Sequence, residues 1–180
     1  MSTLALIFPG IGYTFDRPLL YYSQKLALSR GMEVRRVPLS VTLNKTLPND
    51  VRMDLACRQA AEQGWAAAQD LSGWDRVVLI AKSIGTVAAA AALQNLPVGT
   101  PAILYTPLEQ TFHYPVREAV VFTGTDDPWV RPGEIPALCK ANNIPFHLFE
   151  GANHSLETGD VLRDIEILRT VMEETAKLFP

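Results

Sequence analysis

The chain has 180 residues, of which 48% are hydrophobic and 19% charged, with a formal net charge of −3. That length suits one domain, residues 1–180, around a single core, and the composition excludes a disordered chain. The small net charge and the absence of a Lys/Arg run argue against nucleic-acid and membrane partners, and no apolar stretch reaches the roughly 18 residues of a membrane span.

The first element is the apolar run Leu4 to Phe8, which has no basic region before it and is stopped by Pro9-Gly10. It reads as a buried strand rather than a signal peptide, so the expected location is cytoplasmic. Pro18 to Arg30 reads as a helix with Leu19, Tyr22, Leu26 and Ser29 along one face, and Gly31 stands where a C-terminal capping glycine belongs. Glu33 to Val37 is a second strand. Asn49 or Asp50 is the expected cap of an alanine-rich helix running to about Asp70. Arg76 to Ala81 is the strongest strand signal, followed by a helix of small residues from Ile84 to Gln94.

Further strands are expected at Ala102 to Tyr105, Ala119 to Thr123 and Phe146 to Phe149, with a helix over Pro136 to Ala141 between the last two. The final helix, Asp160 to Leu178, carries an apolar stripe at Val161, Ile165, Leu168 and Met172, and Glu173 with Lys177 forms an i,i+4 pair on its wet face. Cys57 and Cys139 belong to no CxxC pattern and are expected to be reduced and buried. No His, Cys or acidic cluster has metal-ligand spacing, so no metal or other cofactor is expected. Strand and helix alternate throughout, which implies an α/β domain with a mostly parallel sheet and helices on both faces. Ligands of such sheets bind beyond the carboxyl ends of the strands, so the residues just after each strand carry the information.

After the third strand comes Ala81-Lys82-Ser83-Ile84-Gly85, a serine at a sharp strand-to-helix junction with small residues two places either side. Such a turn lifts the hydroxyl above the sheet and aims the Ile84 N–H at the same point, beside a helix N-terminus that favours negative charge. A serine there is also a good helix cap. After the fifth strand comes Thr125-Asp126-Asp127-Pro128, which is also ordinary turn chemistry, and after the sixth Asn153-His154-Ser155. A serine, an acid and a histidine following separate strands on one sheet edge point jointly to nucleophilic catalysis. Serine needs a base to accept its proton, and histidine needs a carboxylate to fix its tautomer.

These residues, in the order Ser…Asp…His, resemble the α/β-hydrolase superfamily over essentially the whole chain. Ala81-Lys82-Ser83-Ile84-Gly85 is similar to the family's Gly-x-Ser-x-Gly elbow, with alanine for its first glycine. Gly124-Thr125-Asp126-Asp127-Pro128-Trp129-Val130 is similar to its acid segment and favours Asp127 over Asp126. Phe8-Pro9-Gly10-Ile11-Gly12-Tyr13 stands where the family has His-Gly-x-Gly, with proline for histidine. The resemblance implies a second oxyanion donor from the N–H of Ile11 or Gly12 beside that of Ile84. It also implies that the six strands match the last six of the family's eight and form a sheet ordered 2-1-3-4-5-6.

Only Thr106 to Arg117 is available for the family's lid, so an open site suited to small or extended soluble substrates is expected. Lys82 is expected near the mouth, Tyr13, Thr14 and Phe15 along the pocket, and His113 in the reduced lid within reach of substrate. Trp129 is expected to brace the acid loop and His147 to be structural. The function implied is cleavage of a small soluble ester or thioester by Ser83, His154 and Asp127. Two rivals stand beside it. One is an inactive binding or partner module of the same fold, for which the Pro9 departure speaks. The other is a flavodoxin-like nucleotide domain in which Ser83 only caps a helix. A dinucleotide loop at Gly10-Ile11-Gly12 lacks its third glycine, where Phe15 stands.

Overall fold

The computed structural model describes residues 1–179. Six parallel strands form one sheet: β1 (Thr3–Phe8), β2 (Glu33–Arg36), β3 (Arg76–Lys82), β4 (Ala102–Tyr105), β5 (Ala119–Gly124) and β6 (Phe146–Phe149), in the order β2-β1-β3-β4-β5-β6. The order reverses direction at β1 and β3, the switch point at which open α/β sheets take their ligands. Both strands are almost wholly buried, which is why they read as continuous apolar runs. The edge strands differ: β2 is charged and mostly exposed, and β6 is only partly buried.

Five helices cover the two faces: α1 (Pro18–Ser29), α2 (Asn49–Ala67), α3 (Ile84–Ala92), α4 (Glu134–Ala141) and α5 (Val161–Ala176). Alternate residues of the strands feed two cores. Leu4, Leu6, Phe8, Leu79 and Leu104 pack towards α2 and α3, whereas Ala5, Ile7, Val78, Ile80, Ile103 and Phe122 pack with side chains of α1 and α5. The small residues of α3 let α2 cross it closely: a Cβ on Gly64 would fall 2.0 Å from the carbonyl oxygen of Ala88. On the other face the Tyr105 hydroxyl bonds Ser23 of α1 at 2.9 Å and Thr175 of α5 at 2.8 Å, tying both helices to the middle of the sheet.

Several local expectations are corrected. The α2 N-cap is Pro48, with no side-chain cap, because Asn49 is already helical. On α1 the buried residues are Leu19, Leu20, Ser23, Gln24 and Ala27, while Tyr22 is exposed; hydrogen-bonded polar side chains share the inner face there. On α5 the fully buried residues are Ile167, Val171 and Thr175; of the expected stripe Leu168 and Met172 pack partly buried against the core, while Val161 and Ile165 are 69% and 57% exposed. Val161 and Ile165 line a groove of about 340 Å³ with Pro18, Leu19 and Leu156. Lys177 pairs with Glu174 rather than Glu173, which pairs with Arg169. Asp160 caps α5 by accepting from the N–H groups of Leu162 and Arg163. Gly31, with φ of +73°, ends α1 as expected.

Candidate active site

Ser83, Asp127 and His154 come together at the carboxyl edge of the sheet. Ser83 lies between β3 and α3 with φ of +56° and ψ of −126°. L-residues avoid that combination, so the surroundings must hold it. They do so through the loop after β1. A Cβ on Gly85 would lie 2.5 Å from the Pro9 carbonyl oxygen, and one on Gly10 would lie 3.1 Å from the Ser83 Cβ. The small residues at 10 and 85 therefore let the loop close directly on the turn. The Ser83 carbonyl accepts from the Thr86 N–H at 2.8 Å and from the Thr86 hydroxyl at 2.6 Å, and that hydroxyl also meets the Thr111 hydroxyl.

His154 Nε2 is 2.7 Å from the Ser83 Oγ, and its Nδ1 is 2.7 Å from Asp127 Oδ2. With Asp127 as a carboxylate, Nδ1 carries the hydrogen and donates, which leaves Nε2 free to accept the Ser83 proton. The second carboxylate oxygen, Oδ1, accepts from the Trp129 N–H at 2.9 Å. Asp126, the competing acid, is exposed and takes only the neighbouring Thr125 hydroxyl by its side chain. Burial holds the His154 imidazole below its usual value, against the hydrogen bond it donates to Asp127, which pulls it up; the charge of Lys82 also pushes it down. A neutral imidazole bonded to a serine on one side and a carboxylate on the other can take a proton from the hydroxyl and hold the resulting charge.

The acid and histidine loops are stitched together. Asp126 N–H donates to the Ala152 carbonyl at 3.0 Å, and Gly151 N–H donates to Thr125 Oγ1 at 2.7 Å. Gly124 ends β5 against this seam, where a Cβ would lie 2.0 Å from the Ala152 oxygen. Thr106, just after β4 with φ of +42°, donates its hydroxyl to the His154 carbonyl at 3.0 Å. Neither Thr106 nor the Trp129 N–H was expected from the sequence. The usable signal for Thr106 was its place directly after a strand on the same sheet edge.

The loop after β1 is a tight turn. Gly10 and Tyr13 exchange backbone hydrogen bonds at 3.1 and 3.4 Å, with Ile11 and Gly12 at its tip and Gly12 at φ of +71°. This form departs from a dinucleotide loop, since α1 starts only at Pro18. Ile11 is 47% exposed. Among the described residues, the backbone N–H groups of Ile11, Gly12 and Ile84 have no partner within the chain. Ile84 sits at the first position of α3, where the helix leaves N–H groups free.

The remaining expected residues separate. Tyr13 is buried rather than lining an open pocket; its hydroxyl accepts from the Leu19 N–H at 3.1 Å. Lys82 is not at the mouth: it is 0% exposed, with Nζ 4.8 Å from the centre of the Tyr13 ring. As the last residue of β3 it continues the series Val78, Ile80, so its side chain runs beneath the sheet edge. Thr14 is exposed, and Phe15 is half-buried beneath Arg36. His113 ends the short 3₁₀ turn Glu109–His113, which is what stands in the lid position. It lines a hollow with Asp54, Arg58 and Gln110 on the α2 side, apart from the His154 hydrogen-bond chain. Trp129 is 59% exposed, with its ring centre 6.1 Å from that of His154. His147 stacks on Phe122. Cys57 and Cys139 are free and buried, which pushes each thiol up to about 12. Among the described residues no group of His, Cys, Asp and Glu side chains is arranged to hold a metal, and no helix is long and apolar enough to cross a membrane.

No family model and no curated protein matches the chain. Solved structures do. A protein of the alpha/beta hydrolase superfamily from Xanthomonas campestris pv. campestris is 17% identical, with a TM-score of 0.68 over 99% of this chain and 98% of that one. An α/β serine hydrolase without lid from Xanthomonas campestris is 16% identical, with a TM-score of 0.65 over 99% and 83%. A thermophilic esterase from Thermogutta terrifontis, solved with propionate bound, is 18% identical, with a TM-score of 0.60 over 98% and 83%. The chain therefore has the α/β-hydrolase fold, in a form without a lid domain between β4 and β5.

Proposed function

We propose that the protein is a serine hydrolase that cleaves a small soluble carboxylic ester or thioester. The observation that carries this reading is the continuous chain Ser83 Oγ–His154–Asp127, with both links at 2.7 Å, ending on a serine held in a strained backbone conformation. The likeness in fold to an esterase and to a lidless serine hydrolase supports the substrate class.

Ser83 Oγ attacks the substrate carbonyl carbon while His154 Nε2 accepts the hydroxyl proton. Asp127 fixes the imidazole and stabilises its charge. The oxyanion is held by the N–H of Ile84 and that of Ile11, with Gly12 as the alternative donor. Removing one such donor raises a barrier of this kind by about 3–4 kcal/mol. His154 then passes the proton to the leaving alkoxide or thiolate, and water, deprotonated by the same imidazole, releases the acyl group and restores Ser83.

Treatment of the purified protein with a fluorescent fluorophosphonate, beside Ser83→Ala, tests this. Labelling of the wild type alone is expected. A folded wild type that stays unlabelled refutes the reading and turns attention to a partner-binding role for the same fold.

A further inference from the structure

The side chain of Trp129 has no task in the chemistry above. What braces the acid loop is its backbone N–H, which donates to Asp127 Oδ1 at 2.9 Å and which any residue except proline would supply. The indole adds nothing to either core; it stands mostly exposed on the loop after β5. A large flat apolar group is thus held in the open beside the base. Its ring centre lies 6.1 Å from that of the His154 imidazole, with the two planes at 47°. Centres about 4.5–7 Å apart are the spacing of interacting aromatic neighbours, so a further ring placed at His154 comes within reach of the indole.

The order of the sheet decides which part of a substrate that ring belongs to. Along the edge from β1 through β3 and β4 to β5 stand Ile11, Ser83, Thr106 and Trp129. Ile11 and Trp129 are both exposed, and they flank the nucleophile from opposite sides. The oxyanion is drawn to the β1 side, where the N–H groups of Ile11 and Gly12 stand free. The leaving-group oxygen takes its proton from His154 and must come within about 3 Å of Nε2 to do so. Whatever is attached to that oxygen therefore departs past the imidazole, on the side of β5. Between β4 and β5 only the short turn Glu109–His113 intervenes, so no lid domain covers the indole there. A planar ring with a negative face and a positive edge pairs better with another such ring than with an aliphatic group of the same size.

We infer that Trp129 sets the leaving-group specificity: its indole receives a flat aromatic group carried on the alcohol, and the preferred substrates are esters of arylmethyl alcohols. This deepens the serine-hydrolase reading and rests on it for the direction in which the alcohol leaves.

The test compares benzyl acetate, cyclohexylmethyl acetate and methyl phenylacetate, which carries its ring on the acyl side, in the wild type, Trp129→Ala and Trp129→Phe. In the wild type, kcat/KM for benzyl acetate should exceed that for cyclohexylmethyl acetate by about fivefold, the worth of one aromatic pair. Trp129→Ala should abolish this preference and Trp129→Phe should keep most of it, while methyl phenylacetate holds within about twofold throughout. Binding is read separately in Ser83→Ala, which cannot turn over, from the NMR signals of the three tryptophan indole N–H groups as benzyl alcohol is added. Trp129 alone should shift, and less with cyclohexylmethanol. An equal fall for all three esters in Trp129→Ala, or a benzyl preference that survives it, overturns the proposal and leaves the hydrolase reading standing. So does a Trp129 signal that does not move. A Trp129 signal that moves in a protein that cleaves none of the esters and takes no fluorophosphonate upholds the aromatic platform and refutes the hydrolase reading instead.

Discussion

Gly124→Ala probes the seam between the acid and histidine loops. The new methyl would start 2.0 Å from the Ala152 oxygen and 2.6 Å from its carbonyl carbon, both backbone atoms that cannot swing aside. Relief to an ordinary contact requires the loops to part by more than about 1 Å, the spacing at which neighbouring atoms stop overlapping. The His154–Asp127 bond spans this seam at 2.7 Å, and a parting of that size takes it beyond hydrogen-bond range. Overpacking of this kind costs about 1–3 kcal/mol of stability, and a catalytic histidine without its oriented acid loses up to about 10⁴-fold in kcat. The expected result is a folded protein with a lowered Tm whose fluorophosphonate labelling rate falls at least 100-fold. Gly73→Ala is the control: no atom lies within 4 Å of the new methyl and φ is not positive there, so both quantities should hold. Labelling of Gly124→Ala within twofold of wild type would refute the idea that this close approach sets the relay.

Asp127→Asn should reduce turnover by about 10³- to 10⁴-fold with little loss of fold, read as kcat against an activated ester. Lys82 gives stability a distinctive slope. Its amine is at about 7 when folded and near 10.5 when unfolded, so the unfolded chain binds more protons between these values and stability rises with pH. Between pH 7 and 9 the gain is about 2–3 kcal/mol, measurable by urea unfolding, and Lys82→Met should flatten it. Asp160→Ala removes the two hydrogen bonds capping α5 and should cost about 1 kcal/mol in the same assay.

Much of the fold was legible because buried parallel strands announce themselves. Leu4 to Phe8 and Arg76 to Ala81 read as strands from apolar continuity alone, and the meeting of Ser83, Asp127 and His154 was legible because each directly follows a strand on one sheet edge. Legibility failed where side-chain direction decides. A lysine beside an elbow serine was expected at the mouth, since sequence carries no sign that the strand's alternation continues through Lys82 and turns it under the sheet. The α5 stripe was half legible: Leu168 and Met172 pack against the core, whereas Val161 and Ile165, at the same spacing, stay exposed. Thr106 and the Trp129 N–H escaped because a backbone donor and a strand-end hydroxyl are common everywhere. Only three-dimensional proximity singles them out.

The backbone at Ser83 also bears on how this sequence can drift. At φ of +56° and ψ of −126° every residue with a Cβ is under strain, and glycine alone is at ease. A lineage with no use for the hydroxyl would gain stability from a single serine-to-glycine change at this position. Glycine at position 83 in a descendant of this chain would thus mark the loss of the proposed chemistry.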